Sequence, residues 1–156
     1  MEFNIEINAP RKKVWEILWG KESYPMWTKA FSEDSQVETD WQTGSKALFH
    51  DGKKNGMVSK IVENVPEQYM SIEHLGMIVN GIEDYDSEEV KRWSGTKENY
   101  TLTVASDKTL LRVDMDMDET EENREMIKMF EGMWPKALNN IKRMAEQDEV
   151  IPPVVV

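Results

Sequence analysis

Phe3-Asn4-Ile5-Glu6-Ile7 alternates apolar and polar side chains, the period of a strand with one buried face. Pro10 suits the first position of a helix, and Val14, Ile17 and Leu18 share one helical face, with Trp15 and Trp19 beside it. Gly20 ends that helix. A second short helix begins near Ser23, a candidate cap, with Tyr24, Trp27 and Phe31 at helical spacing. The period then returns to two. Val37, Thr39 and Trp41 alternate with Gln36, Glu38 and Asp40, Thr43-Gly44 reads as a turn, and Ala47 and Phe49 carry the next strand. Asp51-Gly52 is a hairpin signal, Gly56 to Glu63 a strand, Pro66-Glu67 its turn, and Tyr69 to His74 the partner strand. Residues 76–94 read as less regular and are the best candidate for a mobile loop or lid.

Glu98 to Ala105 and Thr109 to Met117 are two long strands joined by Ser106-Asp107-Lys108. In the second, Leu111, Val113, Met115 and Met117 point one way, while Arg112, Asp114, Asp116 and Asp118 point to a wet face. A long amphipathic helix is predicted from about Thr120 to Gln147, its apolar stripe running from Met126 through Phe130, Trp134, Leu138 and Ile141 to Met144. Gly132 and Pro135 predict a kink in it. The order is strand, two short helices, about six strands and one long helix. It predicts an α+β fold in which a curved antiparallel sheet of six to seven strands wraps around the long C-terminal helix. Residues 1–150 form a single domain in this reading, and 151–156 a tail that is either docked or frayed.

Composition narrows the functions open to such a fold. With 156 residues and 39% hydrophobic positions, the chain can bury one core. Nineteen Lys+Arg against 30 Asp+Glu leave a net charge of −11, which argues against nucleic acid or an anionic membrane surface as partner. Zero cysteine excludes disulfides, zinc ribbons, iron–sulfur clusters and thiol catalysis. No apolar run approaches the roughly 20 residues of a membrane span, and Met1-Glu2-Phe3-Asn4 lacks the features of a signal peptide. A reducing cytoplasm is the expected compartment. Six Trp and eleven Met against four Phe point to large, adaptable side chains in a core or a pocket.

Certain residues within this order resemble those of the START-like superfamily, also called SRPBCC, whose helix-grip fold is shared with the birch pollen allergen. The branch it resembles most is that of activators of the heat-shock-protein-90 ATPase. The resemblance rests on Ile5-Glu6-Ile7-Asn8-Ala9-Pro10 followed by Val14-Trp15, on Trp27, on Gly44 with Phe49 and Gly52, on Gly56-Met57-Val58 with Val65-Pro66, and on Gly132-Met133-Trp134-Pro135-Lys136-Ala137-Leu138. It spans essentially the whole chain. It implies a cavity between the concave sheet face and the long helix. Periodicity places Trp27, Phe49, Met70, Ile72, His74, Met115, Met126, Phe130 and Trp134 as its lining, with His74 the polar member of an otherwise apolar face.

Catalytic constellations are scarce. His50 and His74 are the two histidines, and there is no H-E-x-x-H, G-x-S-x-G, P-loop or G-x-G-x-x-G, so no catalytic residue and no cofactor is assigned. Asp114, Asp116, Asp118 and Glu125 match the acidic positions of an EF-hand loop, but Glu119 stands where that loop needs glycine. Strand geometry also spreads these acids about 7 Å apart along one face, so no metal site is assigned. Three readings follow. The first is a non-catalytic binding module for an apolar or amphipathic small molecule, lipid-like or aromatic. The alternatives are a protein-interaction domain similar in role to the chaperone regulators, and a cyclase- or hydrolase-like enzyme acting on a bulky apolar substrate. The ligand, the partner and the oligomeric state are not read from this sequence.

Overall fold

The structure, a computed structural model, describes residues 1–147, so the expected tail at 151–156 lies outside the described residues. Strand β1 (Glu2–Ile7) keeps the predicted alternation, with Phe3, Ile5 and Ile7 turned inward against Val113, Leu111 and Thr109 of β8 (Lys108–Met115). Helix α1 (Arg11–Trp19) buries Val14, Ile17, Leu18 and Trp19, and Pro10 is its N-cap rather than its first helical residue. Gly20 ends α1 in an extended conformation. A Cβ there would lie 2.6 Å from the Glu16 carbonyl oxygen, so close approach, not a left-handed turn, demands glycine.

Helix α2 (Ser23–Trp27) is capped by Glu22 without a side-chain bond. The Ser23 hydroxyl instead donates to the Ile17 carbonyl at 2.7 Å, closing the end of α1. The Trp27 indole N–H donates to the Leu18 carbonyl at 3.1 Å and locks the two helices together. A single 3-10 turn, Thr28–Ala30, follows.

Among the described residues the strands form one antiparallel sheet in the order β1-β8-β7-β5-β4-β3-β2, with β6 added beside β5. The remaining members are β2 (Gln36–Glu38), β3 (Lys46–His50), β4 (Gly56–Val65), β5 (Tyr69–Val79), β6 (Ile82–Asp84) and β7 (Lys97–Ala105). That makes eight strands where six to seven were expected. The added strand comes from the 76–94 segment, which is not irregular. β5 runs on to Val79, Asn80 and Gly81 take positive φ of 50° and 82°, β6 pairs back, and α3 (Glu88–Trp93) follows with its N-cap on Ser87.

β2 is shorter than predicted. Trp41 adopts φ 61°, and the side chains of Thr39 and Asp40 accept the backbone N–H groups of Trp41 and Gln42, so a turn replaces the strand's end. β8 stops at Met115 rather than Met117.

Helix α4 (Arg124–Glu146) starts later than predicted, because the Asn123 side chain bonds back to the Asp118 carbonyl at 2.9 Å. It is one helix through Gly132 and Pro135. Both residues are exposed, so the carbonyl that Pro135 leaves without a donor faces water. Trp134, Ala137, Leu138, Ile141 and Ala145 of α4 join one core with Ile7, Leu18, Trp27, Ile61, Met70, Tyr100 and Leu111.

Candidate functional site

The two halves of α4 treat their apolar stripe differently. The C-terminal half is sealed against β1 and α1, whereas Met126, Phe130 and Met133 are only half-buried and Met129 is 52% exposed. Between that looser half and the concave sheet lies a cavity of about 410 Å³. Trp19, Tyr24, Trp27 and Phe31 close it on the side of α1 and α2. Phe49, Ile72, Tyr100 and Met115 form its sheet wall, and α3 contributes Trp93 and Glu89 at the rim. Nine aromatic and seven methionine side chains line it in all, so the wall is both rigid and adaptable. The rings meet edge-on and tilted: Trp19 against Tyr100 at 4.7 Å between centroids, Phe31 against Trp134 at 4.9 Å, Trp27 against Trp134 at 6.1 Å.

Of the nine residues that periodicity assigned to the lining, Trp27, Phe49, Ile72, His74, Met115, Met126, Phe130 and Trp134 all lie on this cavity. Met70 does not; it is fully buried in the core, opposite Tyr100 and away from the cavity. Strand alternation chose its face correctly, but the cavity ends further along the strand.

Of the polar row on this wall, His74 is the member that periodicity places; Glu98, Tyr100 and Ser59 join it through the sheet register. Register sets Ser59 opposite His74, Ile72 opposite Glu98, and Glu98 opposite Met115, so these side chains share the concave face. Ser59 Oγ lies 2.7 Å from His74 Nδ1, and His74 Nε2 lies 2.9 Å from Glu98 Oε1. A carboxylate only accepts, so Nε2 carries the proton toward Glu98 and Nδ1 faces the Ser59 hydroxyl. The Tyr100 hydroxyl donates to the other oxygen of Glu98. Burial first, and then the negative charge of Glu98, push the phenols of Tyr24 and Tyr100 well above the usual tyrosine range, so both stay protonated donors.

A serine–histidine–carboxylate row invites comparison with a nucleophilic triad. Ser59, however, is 0% exposed and is not part of the cavity wall, so no substrate in the cavity reaches its oxygen. The row orients His74 and Glu98, and of its members these two and Tyr100 line the cavity while Ser59 does not. The signal for Glu98 was in the sequence, because Glu98, Tyr100 and Leu102 are two residues apart on one strand.

The other histidine, His50, also lines the cavity and bonds Glu38 at 2.6 Å. Two of the acids at EF-hand-like spacing are used within the sheet: Asp114 accepts from the Asn99 side-chain amide and Asp116 from the Lys97 backbone N–H. Among the described residues no three His, Asp or Glu side chains gather as metal ligands.

A curved antiparallel sheet gripping a long C-terminal helix over an aromatic cavity defines a helix-grip protein of the START-like superfamily. A family model described as Activator of Hsp90 ATPase homolog 1-like protein matches residues 8–146, and the chain belongs to that family. Comparison with curated proteins finds no match. Among solved structures, protein MLL2253 from Mesorhizobium loti superposes with a TM-score of 0.73 at 12% identity, covering 96% of this chain and 100% of that one. CalU16 from Micromonospora echinospora gives 0.66 at 15% identity, covering 98% of this chain and 69% of its own. The Aha1 dimer from Colwellia psychrerythraea gives 0.63 at 16%, covering 96% and 97%. These likenesses are of fold. Among the described residues no helix is long and apolar enough to cross a membrane.

Proposed function

We propose that the chain binds an apolar or amphipathic small molecule, with an aromatic or other bulky apolar body, between its sheet and α4, and does so without catalysis. The observation that carries this reading is the cavity of about 410 Å³. It falls in the range of roughly 300–1,000 Å³ of small-molecule sites and has their character, an apolar lining with a few convergent polar groups. The half-buried methionines of α4 are the gate, because unbranched thioether side chains repack around differently shaped guests at low cost. Trp19, Trp27, Trp93 and Trp134 all line the cavity and report on occupancy. Titration with the neutral fluorophore phenylnaphthylamine gives saturable probe enhancement and matching tryptophan quenching. Absence of saturation with this and other neutral aromatic probes overturns the reading.

A second reading, a protein partner, is supported by membership of a family whose description names an ATPase activator and by the −11 net charge. It calls for association with a basic protein surface that weakens as salt is raised. Affinity capture across a salt series tests it, and a salt-independent result counts against it. In either reading the expected setting is the reducing cytoplasm.

A further inference from the structure

We propose that the cavity selects an organic cation, a bulky or aromatic amine whose ammonium group is held at Glu98. This rests on the small-molecule reading above and names its ligand class.

The lining contains no Lys or Arg among the described residues, and residues 148–156 add none to the chain. It does contain three carboxylates, Asp51, Glu89 and Glu98. Asp51 is committed to the loop, accepting the Lys53 and Asn55 backbone N–H groups at 2.8 and 3.3 Å, and Glu89 is exposed on α3. Glu98 is the interior one. Its side chain is 18% exposed, and among the described residues no Lys or Arg pairs with it, its hydrogen-bonded neighbours being His74 and Tyr100.

Each Glu98 oxygen accepts one bond from the protein wall, from His74 Nε2 and from the Tyr100 hydroxyl. A carboxylate offers about four lone-pair sites, so two remain for a guest's N–H groups. Tyr100 itself packs against Trp19, so a cation at Glu98 also lies beside aromatic rings whose faces attract positive charge.

The alternatives fare worse on the same wall. An anionic guest meets a like charge across a low-dielectric space. A neutral apolar guest strips water from Glu98 and returns no hydrogen bond. An amine supplies both the charge and the donors, so the preference arises from the carboxylate and the rings together.

The test compares naphthylmethylamine, methylnaphthalene and naphthoate by calorimetry near neutral pH, on the full chain. The expected order is amine, then hydrocarbon, then acid, with the amine roughly tenfold tighter than the hydrocarbon, the size of a charge-assisted bond aided by ring contacts. Glu98→Gln keeps the side chain's shape and reduces the amine's advantage to about twofold or less, with little change for the hydrocarbon. If the amine and hydrocarbon bind alike, or the acid binds best, the cation inference is overturned while hydrocarbon binding still upholds the cavity reading. If none of the three binds, both fall. Should Glu98→Gln not fold, the ratios for the unmodified protein decide alone.

Discussion

His74 is the residue on which the interior chemistry turns. It is fixed from two sides, with Ser59 at 2.7 Å and Glu98 at 2.9 Å, and its ring packs edge-on to Phe49. Replacing Ser59 by alanine keeps the small volume but strands Nδ1 in a site that excludes water, and an unpaired buried polar group costs about 1–3 kcal/mol. Ser59→Ala is therefore expected to lower the urea midpoint by an amount equivalent to about 2 kcal/mol, with the slope unchanged. An unchanged midpoint would mean that Ser59 does not hold the ring. Glu98 shows why this chemistry was only half legible. Among 30 acidic residues, an acid at a strand end reads as a solvated one. Its i+2 spacing from Tyr100 and Leu102 assigns it to the inner face, but only the pairing of β7 with β5 brings it within reach of His74.

At the scale of elements, long periodic segments were readable and short turns less so. The stripe of α4 stood out because its apolar positions repeat at helical spacing from Met126 to Met144, about five turns. The β5–β6 hairpin was missed although Asn80-Gly81, between Ile78-Val79 and Ile82, is a strong two-residue turn signal. The acidic residues that follow it, Glu83, Asp84, Asp86, Glu88 and Glu89, carry no alternation of apolar and polar positions to mark the second strand. The β3–β4 pairing sets a stricter demand. A Cβ on Gly56 would sit 1.9 Å from the Phe49 carbonyl oxygen and 2.8 Å from His50 Cα, both backbone atoms of the paired strand. Neither retreats without opening the ladder that carries Phe49 and His50 to the cavity. Gly56→Ala is expected to cost about 3 kcal/mol, the upper end for overpacking, and to lower Tm by roughly 10 °C. Gly132→Ala is the contrast. It lies on the exposed face of α4 with open space around a new Cβ, so it should stabilise by about 0.5–1 kcal/mol. Thermal scans showing equal stability for both variants would refute this account of the two glycines.

For the molecule as a whole, charge and burial divide the chain into an acidic coat and an aromatic interior, and the interior sets an alkaline limit. Tyr24 and Tyr100 are pushed up first by burial and then by the charge of Glu98. Tyr85, on the surface, is raised to about 12, chiefly by its hydrogen bond to Glu83. In the unfolded chain tyrosines ionise near pH 10. A group whose folded pKa is raised contributes stability that is complete below its unfolded value and is lost as pH rises toward the folded one. Stability should thus hold up to about pH 10 and then fall, because the unfolded state releases phenolic protons that the folded state keeps. Growing negative charge acts in the same direction through self-repulsion, so the buried phenols must be isolated by substitution. Tyr100→Phe removes one of them and should flatten the fall in urea midpoint from about pH 10 upward relative to the unmodified protein. In the unmodified protein the tyrosinate absorbance of Tyr24 and Tyr100 should emerge together with the loss of tryptophan ellipticity. If those phenols titrate while the tertiary signal is intact, the interior around Tyr24 and Tyr100 is wetter than their burial implies.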